Sequence, residues 1–374
     1  MSDLSNLETR HDDFDFFTAD IGDITPLWKD NKRSDGIVER KMTAIQWQEK
    51  EYQVGERFIL SLCSKFGIGT SIFYLFDPAE VFERIQKVHP RGRVRIVTEK
   101  MPDGSERCLA ATSPAKSYVD FGTLIGILQK PSRISKVNAA QYREGAVSTV
   151  HIMDEAPWEI AGDMYHQAFT LDTPIDGYGL PAIYLSLIRA ENNTLLTAES
   201  KTFRSEVQLG KSGDSPEIPL TRALDTFNNE EGFQAIRQRL DSARNSFASL
   251  HECDSLMKVL TRSLDNSQAN TQSVQNIRTG FHNMTGDVSK KYGIATEDSL
   301  SSKKARLLPM DCSVLDLIFF SMVITTNHRT SIKNSKPLTQ WVGTLLDNEY
   351  DLEGSVDEEI AEAEAEVEVR TEVA

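Results

Sequence analysis

Six Lys or Arg residues and one His (Arg84, Lys87, His89, Arg91, Arg93, Arg95 and Lys100) fall within seventeen residues of one another. If the segment from Arg93 is a strand, Arg93 and Arg95 share one face while Val94 and Ile96 take the other. Guanidinium forks match phosphate oxygens, so this is the pattern of a sheet offered to a nucleic-acid backbone. A second set comprises Lys130, Arg133, Lys136 and Arg143, and a third Lys290, Lys291, Lys303, Lys304 and Arg306. Lys and Arg also populate ordinary solvated faces, so no single cluster decides the matter. The residues expected to contact nucleic acid are Arg84, Lys87, Arg91, Arg93, Arg95, Lys130, Arg133 and Lys136.

Catalytic patterns are missing. The chain has no Gly-x-Gly-x-x-Gly, no complete phosphate loop, no Gly-x-Ser-x-Gly and no His-Glu-x-x-His. Gly210-Lys211-Ser212 ends like a phosphate loop, but Ser205 stands where its first Gly belongs. The seven histidines lack metal-ligand spacing; His151 and His166 read as structural residues on neighbouring strands. His251 and Cys253 are two apart on a helix and do not face each other. No catalytic residue, metal or cofactor is assigned.

The elements that would position the basic groups follow from local signals. Asp77-Pro78-Ala79-Glu80 opens a helix to about Val88, because a capping oxygen serves the first amides and Pro has no amide to leave unbonded. Residues 93–99 and 106–112 read as a hairpin turning at Asp103-Gly104. Asp120 caps a helix through Leu128, and strands are expected at 146–153, 164–171, 181–190 and 201–209. Helical spacing is expected from Ile45 to Phe66, and a β-rich run at 70–76. From Phe233 through Ile236, Leu240, Ala243, Phe247, Leu250, Met257 and Leu260 to Leu264, apolar residues recur mostly every three or four positions, which predicts one helix of about thirty residues. Further helices are expected at 268–292, 311–325 and 337–346.

Charge is unevenly placed. Residues 347–374 hold twelve acids and one Arg, and residues 1–30 hold eight acids, Arg10 and Lys29. The net charge of −15 therefore belongs to the two ends, and residues 31–346 are close to neutral. An acidic tail beside a basic face mimics phosphate at high local concentration, as in many single-strand DNA-binding proteins. This tail lacks a terminal aromatic anchor, ending Glu372-Val373-Ala374. No apolar stretch approaches the length of a membrane span, and the N-terminus lacks the features of a signal or transit peptide. Four scattered cysteines without a Cys-x-x-Cys pair read as reduced, buried thiols of a cytoplasmic protein.

Val94-Arg95-Ile96-Val97, Asp103-Gly104, the run from Arg107 to Ser113, and Tyr118-Val119-Asp120 together resemble a domain-of-unknown-function family (family 932) of phage- and plasmid-encoded proteins. The segments 165–171, 174–179 and 184–189 with Asn192-Asn193 are similar to that family's central strands, although Ala190 replaces its usual cysteine and the following Gly is absent. The likeness spans roughly residues 55–330. It implies a mobile-element origin, an α+β fold and a helical C-terminal part, and it supplies no activity.

The expected fold is α+β, with a central antiparallel sheet between an N-terminal mixed part and a C-terminal helical part. Its expected segments are a loosely held acidic arm (1–35), a sheet domain (36–210), a linker (211–219), a helical part (220–348) and a disordered acidic tail (349–374). The function expected first is non-enzymatic binding of single-stranded nucleic acid, most simply DNA in replication or recombination of a phage or plasmid. The alternative is a virion-associated or host-defence-interfering protein working through protein contacts, by the acidic tail, by the 230–264 helix or by self-association.

Overall fold

The computed structural model describes residues 4–32, 38–132, 134–210, 214–264, 271–286, 302–327, 335–347 and 350–352. The chain opens with α1 (Ser5–Glu8), β1 (Phe14–Asp20), β2 (Thr25–Lys32), β3 (Val38–Trp47) and β4 (Lys50–Val54). There follow α2 (Glu56–Phe66), α3 (Ile72–Leu75), α4 (Pro78–Val88), β5 (Arg93–Lys100), β6 (Glu106–Thr112) and α5 (Phe121–Leu128). Next come β7 (Ser135–Arg143), β8 (Ala146–Met153), β9 (Trp158–Ile160), β10 (Asp163–Pro174), β11 (Ala182–Arg189), β12 (Leu195–Thr197) and β13 (Arg204–Glu206). The remainder is α6 (Glu217–Asp225), α7 (Glu230–Asn245), β14 (Phe247–Ser249), α8 (Leu250–Ser263), α9 (Gln272–Thr285), α10 (Ser302–Arg306), β15 (Pro309–Ser313), α11 (Val314–Asn327) and α12 (Lys336–Leu346). The fold is α+β. A six-stranded sheet has the order β1-β5-β6-β4-β3-β2, and a seven-stranded sheet runs β12-β11-β10-β8-β7 with β9 on β10 and β13 on β11.

Two compact units are each assembled from three stretches of chain: residues 1–151, 171–183 and 206–227 in the first, and 152–170, 184–205 and 228–374 in the second. Neither coincides with the consecutive segments 36–210 and 220–348.

In the first unit the six-stranded sheet is antiparallel except where β4 meets β6 in parallel. One face is apolar: Ile45, Val94, Ile96 and Ala111 pack with Phe58 and Leu62 of α2 and Val81, Phe82 and Ile85 of α4. The β5–β6 turn forms as its sequence requires. Gly104 takes φ +82°, and Asp103 Oδ1 accepts from the Ser105 amide at 2.9 Å. Pro78 begins α4, and Asp120 Oδ1 accepts from the Thr123 amide at 2.8 Å to cap α5.

The N-terminal segment is not a loose arm. Phe14–Asp20 pairs along its whole length with Glu99–Arg93 of β5, and Leu7, Ile21 and Ile24 are buried. β1 is an edge strand that carries Asp15 and Asp20, while its Phe17 and Ala19 pack into the core. The helix expected from Ile45 to Phe66 begins only at Glu56, because residues 45–47 belong to β3 and 50–54 to β4. The β-rich run expected at 70–76 contains the short helix α3.

In the second unit the long helix is broken. Phe233, Ile236, Leu240 and Ala243 are buried on α7, but the chain is extended at 247–249, where β14 pairs with β15, and Phe247 is 73% exposed. A new helix starts at Leu250 with a reciprocal capping box, Ser249 bonding the Glu252 amide and Glu252 bonding the Ser249 amide. The three-and-four spacing ran through this signal, so periodicity alone joined two helices. Leu250, Cys253, Leu256 and Leu260 restart the buried stripe on α8.

Smaller differences occur elsewhere. Strand 201–209 shrinks to β13, α6 takes over residues 217–219 of the expected linker, and the helix expected from Asp311 starts at Val314 after β15. Residues 350–352 of the expected tail are built in: Tyr350 donates its hydroxyl to Glu252, Arg239 Nη2 donates to the Tyr350 carbonyl at 2.6 Å, and Leu352 is buried. Residues 353–374, Lys211, Ser212, and the ends of the 268–292 helix beyond α9 and Gly286 lie outside the described residues.

Candidate nucleic-acid interface

The basic residues separate into two groups once the first unit is folded. Arg84 and Lys87 project from α4, Arg91 lies in the turn after it, and Arg93 begins β5; all four are exposed. The Arg84 guanidinium lies 4.5 Å from the Phe76 ring centroid and 3.9 Å from Glu80. Lys87 Nζ is 2.5 Å from Glu83 and holds that carboxyl below its usual range by direct hydrogen bonding. Arg93 Nε stands 3.8 Å from Asp20, its register partner on β1. These are solvent-exposed surface pairs that contribute little, so phosphate oxygens can exchange with the carboxylates at little cost. Exposed apolar side chains occur on α4 and on elements packed against it: Val88 is 72% exposed, Leu75 of α3 75% and Trp28 of β2 39%.

Arg95 does not join them. Strand alternation puts Arg93 and Arg95 on the same side, but that side is open only at Arg93. Arg95, Val97 and Glu99 are all buried. Nη1 of Arg95 donates to the Lys116 carbonyl at 3.0 Å and Nη2 to Thr112 Oγ1 at 3.2 Å, with the Tyr118 ring centroid 3.8 Å from the guanidinium carbon. Further along the same face Glu99 sits between Arg10 (2.5 Å) and Arg107 (2.6 Å), and Phe14 stacks on Phe121 with centroids 4.5 Å apart. Alternation shows which residues are opposite each other, not whether both faces are covered. Here residues distant in sequence cover the second one.

The second predicted set is more scattered. Lys130 pairs with Glu217 at the surface, Lys136 is exposed on β7, and Arg133 lies outside the described residues. Of the third set, Lys290 and Lys291 lie outside the described residues, and Arg306 donates to the Asp351 carbonyl at 2.8 Å.

The sequence reading missed the charged cluster around residues 172–179. Asp176 is completely buried and takes Arg57 Nε and Nη2 at 2.5 and 3.0 Å. Lys116 Nζ donates to the carbonyls of Gly177 and Gly179 at 3.1 and 3.3 Å. Burial pushes the Lys116 ammonium pKa down, and the nearby Arg95 adds to this. No local motif announces such a cluster, because its members come from α2, β5, the loop after β6 and the end of β10.

All four cysteines are free and buried. Burial raises the Cys63 thiol to about 11, which leaves it an unreactive thiol near neutral pH. Among the described residues no group of three or more His, Cys, Asp or Glu is placed to hold a metal ion. No described helix is long and apolar enough to cross a membrane. No family model, curated protein or solved structure matches the chain.

Proposed function

We propose that the protein binds single-stranded nucleic acid without catalysing a reaction on it, and that the contact surface is the segment from α4 to the start of β5. The observation that carries this reading is the joint exposure of Arg84, Lys87, Arg91 and Arg93 beside exposed apolar side chains. Cations track a phosphate backbone, and apolar or aromatic surfaces accept unpaired bases, a combination suited to a single strand. Arg95 is withdrawn from the contact set. Residues 353–374, with nine acids and one Arg, supply a competing polyanion. The resemblance to the phage- and plasmid-encoded family supports a role in replication or recombination in the cytoplasm of a host cell.

The test is binding of a fluorescent single-stranded oligonucleotide by the full chain and by Arg84→Ala/Arg91→Ala/Arg93→Ala. Loss of at least tenfold in affinity with unchanged thermal stability supports the reading. Equal affinity of the two proteins removes it. A second reading, protein–protein contact in a virion or against host defence, rests on Phe247, a large aromatic exposed on a three-residue strand.

A further inference from the structure

We propose that Arg95 and Lys116 form a binding site for a phosphate-type oxyanion in the first unit. The starting point is a charge imbalance. Arg95 is 6% exposed, yet among the described residues its guanidinium bonds only neutral oxygens, the Lys116 carbonyl and the Thr112 hydroxyl. Its buried Nε has no hydrogen-bond partner among the described residues. Arginine stays protonated at any accessible pH, so it cannot escape burial by losing its charge. An isolated buried charge is strongly disfavoured unless an anion compensates it.

Lys116 brings a second positive charge to the same place. Its ammonium is held by the Gly177 and Gly179 carbonyls, and Gly177 is also the residue against which Arg95 packs. A Cβ on Gly177 would fall 2.9 Å from Arg95 Nη2, and φ is +76° there, so only glycine lets the loop approach both cations. The buried carboxylate of Asp176 offsets the Lys116 charge only in part, and burial with the neighbouring Arg95 outweighs it. Asp176 is engaged by two guanidinium nitrogens of Arg57 and by the Tyr178 amide at 2.9 Å. Glu99, further along β5, is already shared by Arg10 and Arg107. Arg95 and Lys116 thus form a dication that, among the described residues, carboxylates neutralise only in part. Lys116 is exposed and Arg95 is buried, with the Tyr118 ring against the Arg95 guanidinium.

A tetrahedral oxyanion suits this arrangement, because it accepts donors from several directions and can take guanidinium and ammonium contacts together. Two sources share that chemistry: free phosphate, or the terminal phosphate of a nucleic acid. The inference does not depend on the proposed function, since the first source needs no nucleic acid.

The test uses the full chain and measures thermal unfolding during titration with inorganic phosphate, against chloride at matched ionic strength. A saturable rise in Tm is expected, with apparent affinity at least fivefold weaker in Lys116→Gln. Lys201→Gln, the same change on the surface of the second unit, should retain it. Lys116 is exposed, so its replacement tests the site without emptying the core, whereas an Arg95 variant risks unfolding the sheet. A second arm compares single strands with and without a 5′-phosphate. Tighter binding of the phosphorylated strand, lost in Lys116→Gln, assigns the site to a nucleic-acid end; equal binding, with the inorganic phosphate response intact, assigns it to free phosphate. The absence of a saturable response to either source overturns the proposal, as does a response that Lys116→Gln leaves unchanged. The Arg84, Arg91 and Arg93 substitutions leave this response intact, which separates failure here from failure of the strand-binding reading.

Discussion

Arg57 and Asp176 are 119 residues apart in sequence and meet in a two-pronged ion pair, Nε and Nη2 of the arginine lying 2.5 and 3.0 Å from the two carboxylate oxygens. The arginine also donates to the Tyr178 carbonyl at 3.0 Å, so one guanidinium fixes α2 to the chain after β10. Asp176 is completely buried, and removing it strands a largely buried cation. Asp176→Ala is expected to lower stability by about 3–5 kcal/mol, whereas the apolar double change Arg57→Met/Asp176→Leu should lose clearly less. Urea unfolding of the three proteins checks this. Equal losses would mean that the pair is not a closed electrostatic unit.

His151 gives the molecule a pH dependence that can be isolated. Burial drives its pKa down to about 4, and its Nε2 lies 2.8 Å from Thr149 Oγ1. The folded value is below the unfolded one, near 6.5, so the folded state resists protonation. Stability from this group is complete above about pH 6.5 and is lost as pH falls toward 4, to a limit of about 3 kcal/mol. The difference between the native protein and His151→Gln, followed by unfolding at each pH, should shrink across that window. A constant difference would show that the imidazole titrates normally.

The break between α7 and α8 separates two phenylalanines that periodicity had placed on one stripe. Phe233→Ala should destabilise by about 3–5 kcal/mol, as for a buried aromatic, while Phe247→Ser should stay within about 0.5 kcal/mol. Chemical denaturation distinguishes this from a continuous buried helix, in which both losses would be large.

Tyr350 and Leu352 are the last described residues that hold onto the second unit. The Tyr350 hydroxyl bonds Glu252, its ring lies 4.9 Å from the Arg306 guanidinium carbon, and Leu352 is buried beside it in sequence. A chain ending at Leu352 should unfold at the same temperature as the full chain, and one ending at Asp347 several degrees lower. Calorimetry of the two truncations settles the order.

The parts legible in the sequence were those announced by local chemistry. Pro78 opened α4, Asp120 capped α5, and Asp103-Gly104 turned the β5–β6 hairpin, each within a residue or so of expectation. Long-range facts were not legible. Nothing near Arg95 in sequence reveals that the chain near Tyr118 and Gly177 covers it, and nothing near Asp15 or Asp20 reveals that β1 is an edge strand of the main sheet. The candidate interface therefore kept Arg84, Lys87, Arg91 and Arg93 and lost Arg95, whose burial moves it to a different proposed role.

Salt dependence of oligonucleotide binding reads the phosphate contacts of this surface themselves. With four exposed cations in contact with phosphate, log K for a single strand should fall with log salt at a slope of about −3, at roughly 0.7 per contact. Arg91→Ala/Arg93→Ala should reduce the magnitude of that slope by about 1.4 without changing Tm. The chain ending at Leu352 should bind more tightly than the full chain, most of all at low salt, where the acidic segment is least screened. Failure of both the full and the shortened chain to bind any single strand at about 50 mM salt, a condition chosen to favour phosphate contacts, would contradict the account, as would a slope unchanged by the double substitution.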